Sequence, residues 1–328
     1  MNVPLLATDD GELADRDAFR REVLAGLGGS PRAIPAKYLY DARGSALFDA
    51  ICEQPEYYPT RTEAAILRRH AGEISDLAGA GSALVEFGSG SSVKTRLLLD
   101  AMQDLHAYVP IDISRRHLDA TAQRLREDYP GLRVDPVTGD YMALDALPPT
   151  IDGARRIGFF PGSTIGNLRP EEAVAFLRRA RRLLRADGAL VLGVDLKKDT
   201  QRLHAAYNDA AGITAQFTLN LLRRMNRELE ANFDLSAFAH EAFYDEPAGR
   251  IEIYFRSLRN QTVMVAGRRY TFIEGERVHT EYSYKYAEAD IAELARLGGF
   301  SIAHIWTDPA RLFAVAFLTQ AQNEKARP

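Results

Sequence analysis

The stretch "VEFGSGSSVKT", residues 85–95, decides how the chain is read, because it fits two different ligand loops. A Walker phosphate loop, G-x-x-x-x-G-K-[ST], would start at Gly88 and end at Lys94 and Thr95, but it puts Val93 where the second glycine belongs. Valine there obstructs the tight curl of backbone N–H groups around a phosphate. In the other reading, residues 83–87 form a short apolar strand, Glu86 is an acid near its end, and Gly88 and Gly90 turn the chain into a helix beginning near Ser92. Such a loop needs glycine only where the backbone turns sharply and passes close to a ligand. The third glycine of the dinucleotide pattern is also missing, since Ser91, Ser92 and Val93 follow Gly90.

Outward from this loop, the chain alternates. Residues 107–111, 132–137, 157–160 and 189–194 are further short apolar runs. Between them lie the helical stretches "SVKTRLLLDAMQ", "SRRHLDATAQRLREDY" and "PEEAVAFLRRARRLLRADG". The last begins at Pro170 and stops at Gly188, a suitable start and stop pair. Strand and helix in alternation predict an α/β fold, a parallel, doubly wound Rossmann-like sheet. A helix at 288–297 and strands at 300–305 and 312–318 complete it. The expected division is a helical N-terminal segment (1–78), a Rossmann-like domain (79–195 and 287–320) and an inserted, smaller α+β domain (196–286). That insert carries one long helical stretch and then a hairpin-like run, "RIEIYFRSLRNQTVMVAGRRYTFIEGERVHTEYSYKY", and it is expected to pack with the N-terminal segment as a substrate lid. The terminal "NEKARP" is expected to fray.

Composition narrows the partners. A chain of 328 residues with 46% hydrophobic and 26% charged residues can bury a full core, and a net charge of −4 offers no general attraction to nucleic acid or an anionic membrane. The single cysteine, Cys52, excludes an internal disulfide and suits a reducing compartment. With an acidic N-terminus and no apolar run near 18 residues, a cytoplasmic monomer is expected. No H-E-x-x-H or C-x-x-C spacing occurs among the seven histidines and one cysteine, so no metal is expected.

In an open parallel sheet the ligand sits at the carboxyl ends of the strands. Asp112 in "VPIDIS" ends the second strand, 24 residues beyond Gly88, where it can accept from both ribose hydroxyls. Asp140 and Tyr141 in "GDY" follow the third strand, the acid placed for an adenine amino group and the ring beside the base. The ordered set Glu86, Gly88, Gly90, Asp112 and Asp140 is the layout of class I methyltransferases, which use S-adenosylmethionine. Lys94 can reach the donor's carboxylate from the first turn of its helix, or lie solvated on the helix face. Asp112 has a second reading as a helix cap and Asp140 as a turn residue. After the fourth strand, "FFPGSTIGN" offers Gly162 and Gly166 for close backbone approach and Asn167 for an amino acid's ammonium or carboxylate, or as a helix cap.

Taken together, "KYLYDARGSALFDAI", "PEYYPTRTE", "VEFGSGSSVKT", "GSTIGNL", "DLKKDTQRLHAAYNDAAGITAQFTLN", "NRELEANFD" and "HTEYSYKY" resemble, in order from about residue 31 to 318, the histidine Nα-methyltransferases of ergothioneine biosynthesis. The resemblance implies successive methylation of the α-amino group of L-histidine to the trimethylated hercynine, with S-adenosylmethionine as donor. It further implies that Tyr57, Asn167 and Tyr207 hold the substrate, the last two at its carboxylate. Glu281 and Ser283 would grip the imidazole, and Tyr40 would line the site as the candidate to receive the amine's proton. Ile253 stands where the family can carry methionine, a stiffer wall that bears on selectivity against other aromatic amino acids. If residues 276–286 form a strand, Glu281 and Ser283, two apart, project from one face. The competing readings are an N-methyltransferase for another aromatic amino acid such as tryptophan and, in a different class, a P-loop phosphotransferase.

Overall fold

The computed structural model describes residues 9–90 and 93–321; the expected helix start near Ser92 and the residues 323–328 expected to fray lie outside them. Helices α1 (Asp9–Gly28), α2 (Ala42–Cys52) and α3 (Tyr58–Ala78) come first. The alternating section follows as β1 (Ala83–Phe87), α4 (Val93–Ala101), β2 (Ala107–Asp112), α5 (Arg115–Asp128), β3 (Val137–Thr138), β4 (Arg156–Phe160), α6 (Pro170–Leu184) and β5 (Ala189–Asp195). Next are α7 (Thr200–Tyr207), α8 (Ile213–Glu228), β6 (Phe238–Asp245), β7 (Arg250–Ser257), β8 (Gln261–Val265), β9 (Arg268–Phe272) and β10 (Arg277–Tyr284). The chain closes with α9 (Glu288–Gly298), β11 (Phe300–Thr307) and β12 (Phe313–Gln320).

Two compact units divide these elements. One holds the chain up to Tyr57 with Thr200–Glu246 and Ile251–Tyr282; the other holds Tyr58–Asp199, Pro247–Arg250 and the chain from Ser283. The second unit is built on a seven-stranded sheet in the order β11-β12-β5-β4-β1-β2-β3. Strands β1 to β5 pair in parallel, with Val85 opposite Val109 on one side and Gly158 on the other. Their continuous apolar sequences follow from burial on both faces. Val85, Phe87 and Val109 pack with Phe160, Phe176 and Leu177, while Leu84, Tyr108 and Phe159 pack on the other face with Leu67, Ile74 and Leu98.

Three expectations change here. The segment 58–78 does not belong with the N-terminal residues, because α3 lays Leu67, Ala71, Ile74 and Ala78 against the sheet. The third strand is only two residues long: Pro136 has no N–H for the ladder, so Val134 makes an isolated bridge to Tyr108 and regular pairing starts at Val137. The sheet is mixed, since β12 runs antiparallel to both β5 and β11. A connection as short as 308–312 can join β11 to β12 only as an antiparallel pair.

The first unit contains a three-stranded sheet, β10-β7-β6, and the two-stranded ribbon β8-β9. The long helical stretch expected after β5 is broken instead into α7 and α8. Gly212 takes a left-handed φ of 67°, and the Asp209 carboxylate accepts from the N–H groups of Ile213 and Thr214 at 2.7 Å each, capping α8. Phe233, Phe238, Phe255 and Phe272 meet edge to face and fill the core beside the sheet. Among the described residues no helix is long and apolar enough to cross a membrane.

If α3 is part of the sheet's core, truncating Leu67, which is fully buried, should be costly. Leu67→Ala is expected to lower unfolding free energy by about 2–5 kcal/mol in denaturant titration; a change within experimental error would detach α3 from that core.

Candidate active site

At the carboxyl end of β1, Gly88 adopts a left-handed φ of 77°, a conformation any side chain would strain. The N–H groups of Gly88 and Ser89 both donate to the Ile111 carbonyl, at 2.9 and 3.0 Å, so they are turned into the sheet rather than outward as a phosphate cradle. These two groups give the P-loop reading no support. A Cβ built on Gly90 meets nothing within 4 Å, which leaves open space over the loop.

Around that space the strand ends supply acids and a ring. Asp112 accepts from the Ser114 N–H at 2.8 Å and Asp140 from the Met142 N–H at 2.8 Å. The N-cap of α5 is Ser114, so Asp112 makes a turn ahead of the helix and does not cap it, while the turn reading of Asp140 is realised; each bond fixes the direction of a carboxylate. Tyr141 lies with its Cε1 3.6 Å from the position of a Gly88 Cβ and packs edge-on against Phe160 and Phe176. Burial, with the charges of Asp140 and Asp112, raises its pKa and keeps the phenol protonated. This end fits S-adenosylmethionine: acids for hydroxyl and amino donors, a flat ring for a base, and a glycine turn that leaves room.

Glu86 and Lys94 are committed to protein partners. The Glu86 carboxylate is buried under the loop, accepting from Thr95 Oγ1 at 3.0 and 2.8 Å and from the Tyr108 hydroxyl. Burial raises its pKa from 4.5 to about 7, against the pull of those two hydrogen bonds. Lys94 pairs with Glu63 at 2.6 Å, where the sequence suggested either a ligand carboxylate or water. Glu63 was missed. Its fully buried carboxylate also accepts from the Gly162 N–H at 3.0 and 2.9 Å, tying α3 to α4 and to the loop after β4. Gly193 makes room for it, since a Cβ there would lie 2.0 Å from Glu63 Oε1.

A second network was also invisible in the sequence. Asp195, the last residue of β5, is fully buried and meets Lys285 at 2.7 Å and Lys198, while the Tyr58 hydroxyl donates to it at 2.8 and 2.9 Å. Burial pushes the Asp195 carboxyl up, but the charges of Lys285 and Lys198 outweigh it and hold the pKa below the usual range. Burial in turn lowers Lys198 to about 8, opposed by Asp195. Lys285 also donates to Ser283 Oγ at 2.8 Å. Asn167 ends a short 3₁₀ turn, Thr164–Asn167; the cap position of α6 is Arg169, so the capping alternative for Asn167 is not the one taken. Just before that turn, Ser163 Oγ accepts from the Asp195 N–H at 2.9 Å.

The first unit gathers the tyrosines. Tyr40 stands edge-on to Phe48 and Phe217, with ring centroids 5.6 and 5.3 Å apart, and Tyr57 meets Tyr207 at 6.1 Å. Burial raises the Tyr57 pKa well above the normal phenol value, with Tyr207, Cys52, Tyr40 and Glu281 adding to it. Tyr57 is therefore a neutral phenol at physiological pH. His240, which sequence reasoning did not single out, donates from Nε2 to the Tyr207 carbonyl at 2.9 Å, and Thr218 Oγ1 lies 2.9 Å from its Nδ1. Burial lowers its pKa, keeping the ring neutral and Tyr207 at the end of α7 in place.

Strand β10 carries the most informative pattern. Val278 and Thr280 are buried, but so are Glu281 and Ser283, and the rings of His279 and Tyr282 approach to 3.9 Å although they stand three positions apart. Strict alternation would put those two rings on opposite faces, so the strand shifts phase near Thr280 and Glu281, as a β-bulge does. The shift turns Glu281 and Ser283 inward on one face. Ile253 is buried on β7, and its carbonyl accepts from Thr280 Oγ1 at 3.1 Å.

The sheet order and its glycine, acid and aromatic strand ends define a methyltransferase that uses S-adenosylmethionine. A family model for histidine-specific, SAM-dependent methyltransferases matches residues 19–320, and the chain belongs to that family. It is 46% identical over 306 residues to the histidine N-alpha-methyltransferase of Mycolicibacterium smegmatis, covering 92% of this chain and 94% of the relative. It is 32% identical over 84% of its length to ergothioneine biosynthesis protein 1 of Neurospora crassa, of which it spans 32%. Among solved structures, the CcbJ methyltransferase of Streptomyces caelestis superposes with a TM-score of 0.51 at 17% identity, covering 86% of this chain and all of that one, a likeness of fold.

The raised Glu86 pKa has a definite sign. Because the carboxyl is harder to ionise folded than unfolded, it contributes stability below about 4.5 that is lost as pH rises to about 7. Glu86→Gln should flatten the stability profile across that window relative to the parent, measured by denaturation at a series of pH values. Parallel profiles would contradict the burial argument.

Proposed function

We propose that this chain transfers methyl groups from S-adenosylmethionine to the α-amino nitrogen of L-histidine, repeating the step to the trimethylated product hercynine in ergothioneine biosynthesis, as a cytoplasmic monomer. The observation that carries the choice of acceptor is the buried carboxylate and hydroxyl of Glu281 and Ser283 on one face of β10. A carboxylate and a hydroxyl side by side out of water suit a ring that carries one N–H and one lone pair, as an imidazole does. Family membership, with relatives named for this reaction, supports the same choice.

When bound, S-adenosylmethionine supplies an electrophilic methyl group on a positively charged sulfur. In this reading Asp112 accepts from the ribose hydroxyls, Asp140 from the adenine amino group, and Tyr141 lies along the base. Gly88 and Gly90 allow close backbone approach, while Glu86 and Lys94 act at one remove by fixing the loop and the first turn of α4. Asn167 and Tyr207 hold the amino acid's carboxylate, and Tyr57 and Tyr40 line the path of its amino group. Ile253 forms the apolar wall of the ring pocket.

Orientation and exclusion of water then carry most of the rate. The amine must be neutral to attack, and a positive charge beside it favours loss of its proton. Tyr57, held protonated by burial, can orient the amine's hydrogens but cannot take a proton at neutral pH; Tyr40 is the residue assigned to pass that proton outward. Because the carboxylate and the ring are gripped at two separate points, the nitrogen can rotate between rounds.

Glu281→Ala tests the reading. Loss of a charge-assisted hydrogen bond should weaken L-histidine binding, in the presence of S-adenosylhomocysteine, by about ten- to a hundredfold and narrow its margin over L-tryptophan. Calorimetric titration that finds parent-like histidine affinity would remove Glu281 from the ring pocket.

A further inference from the structure

Helix α8 turns one stripe of side chains toward the segment that carries Tyr40. Phe217, Asn220, Arg224 and Arg227 stand at i, i+3, i+7 and i+10, the spacing of a single helix face. Each meets residues 38–41 at a different point. Phe217 stands edge-on to the Tyr40 ring at 5.3 Å, and Phe48 of α2 meets the same ring at 5.6 Å. Arg224 donates to the Tyr38 carbonyl at 3.1 Å. Asn220, fully buried, donates from Nδ2 to Asp41 Oδ1 at 2.7 Å, and Arg227 donates to Asp41 Oδ2 at 2.7 Å. Asp41 also caps α2, accepting from the Gly44 N–H at 2.8 Å. Gly44 permits this tight fold, since a Cβ there would lie 1.8 Å from the Leu39 carbonyl oxygen. We propose that Asp41 is a positioning residue for methyl transfer: by tying α2 to α8 it holds Tyr40 in place for the amino group of the acceptor.

Capping a helix asks less than this. A serine or asparagine caps with one oxygen, whereas Asp41 gives two oxygens to three donors, one of them a guanidinium. Burial pushes the Asp41 carboxyl up, but the hydrogen bonds from Arg227, Gly44 and Asn220 outweigh it and hold the pKa below the usual range, so the group stays charged. Tyr40 thus has its chain fixed on both sides, at the Tyr38 carbonyl and at Asp41, and its ring packed against Phe48 and Phe217. In the reading where Tyr40 passes the amine's proton outward, on which this inference rests, that placement governs rate. A group that handles a proton must lie within hydrogen-bond reach of it, and a displacement of about 1 Å can cost about a hundredfold. The residues assigned to the substrate's carboxylate and ring are others, so loosening Tyr40 should slow the chemical step and spare histidine binding.

The test uses the full chain with Asp41→Ser, which keeps a capping oxygen but gives up the second oxygen and the charge. Single-turnover methylation of L-histidine reports the chemical step, and calorimetric titration of L-histidine with S-adenosylhomocysteine present reports binding. Asp41→Ser is expected to slow single turnover by about tenfold or more, with histidine affinity at the parent's level. In a Tyr40→Phe background the same substitution should cost nothing further, because Asp41 acts through that phenol. A parent-like rate in Asp41→Ser overturns the proposal; so does a loss that adds in full to that of Tyr40→Phe, or a histidine affinity that falls as far as the rate. Should Asp41→Ser not fold, Asn220→Leu, which breaks the tie from the α8 side and leaves the cap intact, is judged by the same criteria. Tyr40→Phe alone separates the two levels. If it turns over as the parent does, the reading of Tyr40 fails and the proposal with it; if it is slow while Asp41→Ser matches the parent, only the role of Asp41 fails.

Discussion

Asp195 is a buried carboxylate that pairs with two buried ammonium groups. Removing charge from water costs several kcal/mol per ion in a protein interior, and pairing returns much of that only when geometry is good. Here the geometry is extensive. The carboxylate accepts from Tyr58 at the start of α3, from Lys198 just after β5 and from Lys285 just after β10, while its own N–H binds Ser163 before the Asn167 turn. Four segments far apart in sequence are thereby fixed at the carboxyl end of one strand. Such a cluster is weak support for global stability and strong support for position, because losing the aspartate takes a paired charge away from two buried ammonium groups at once. The segments it fixes are those that present Asn167 and Ser283.

Glu63 plays the corresponding part beneath the donor loop. It holds Lys94 and the Gly162 N–H, and it fits only because Gly193 on β5 has no side chain. Glu86 serves the same end through Thr95 and Tyr108. The acids nearest the expected methyl donor thus fall into two kinds: Glu63 and Glu86, buried and consumed by the scaffold, and Asp112 and Asp140, which stand at strand ends with one oxygen each on a local backbone N–H. That division follows from burial, since a carboxylate out of water needs all its partners from the protein.

The sequence was legible where local pattern and tertiary role agree. Strands β1, β2, β4 and β5 read correctly because each is a short apolar run between turn residues, and Pro170 marked the start of α6. Reading failed where a local feature cut the pattern, as at Pro136, which shortened β3, and at Gly212, which split one expected helix into two. It also failed where orientation depends on distant partners, as with antiparallel β12 and with α3 on the sheet. In the site, the glycine loop and strand-end acids were visible from spacing alone. Glu63, Asp195, Lys285 and His240 were not, because nothing near them in sequence says what they meet; the change of phase that buries Glu281 likewise emerges only from burial and ring contacts along β10.

Aromatic residues set the chemistry of the acceptor residues in the first unit. Tyr40, Phe48, Tyr57, Tyr207 and Phe217 meet ring to edge, and the burial that results keeps Tyr57 a neutral phenol. Dry, neutral hydrogen-bonding groups can orient an amine without competing for its proton, which suits a reaction whose nucleophile must be uncharged. The central claim is that the α-nitrogen, and not the ring, receives the methyl group. Incubating the protein with L-histidine and S-adenosylmethionine carrying a carbon-13 methyl label, and locating the label by NMR, tests it directly. The account predicts label on the α-nitrogen alone, building up to the trimethylated product; label on either imidazole nitrogen would contradict it.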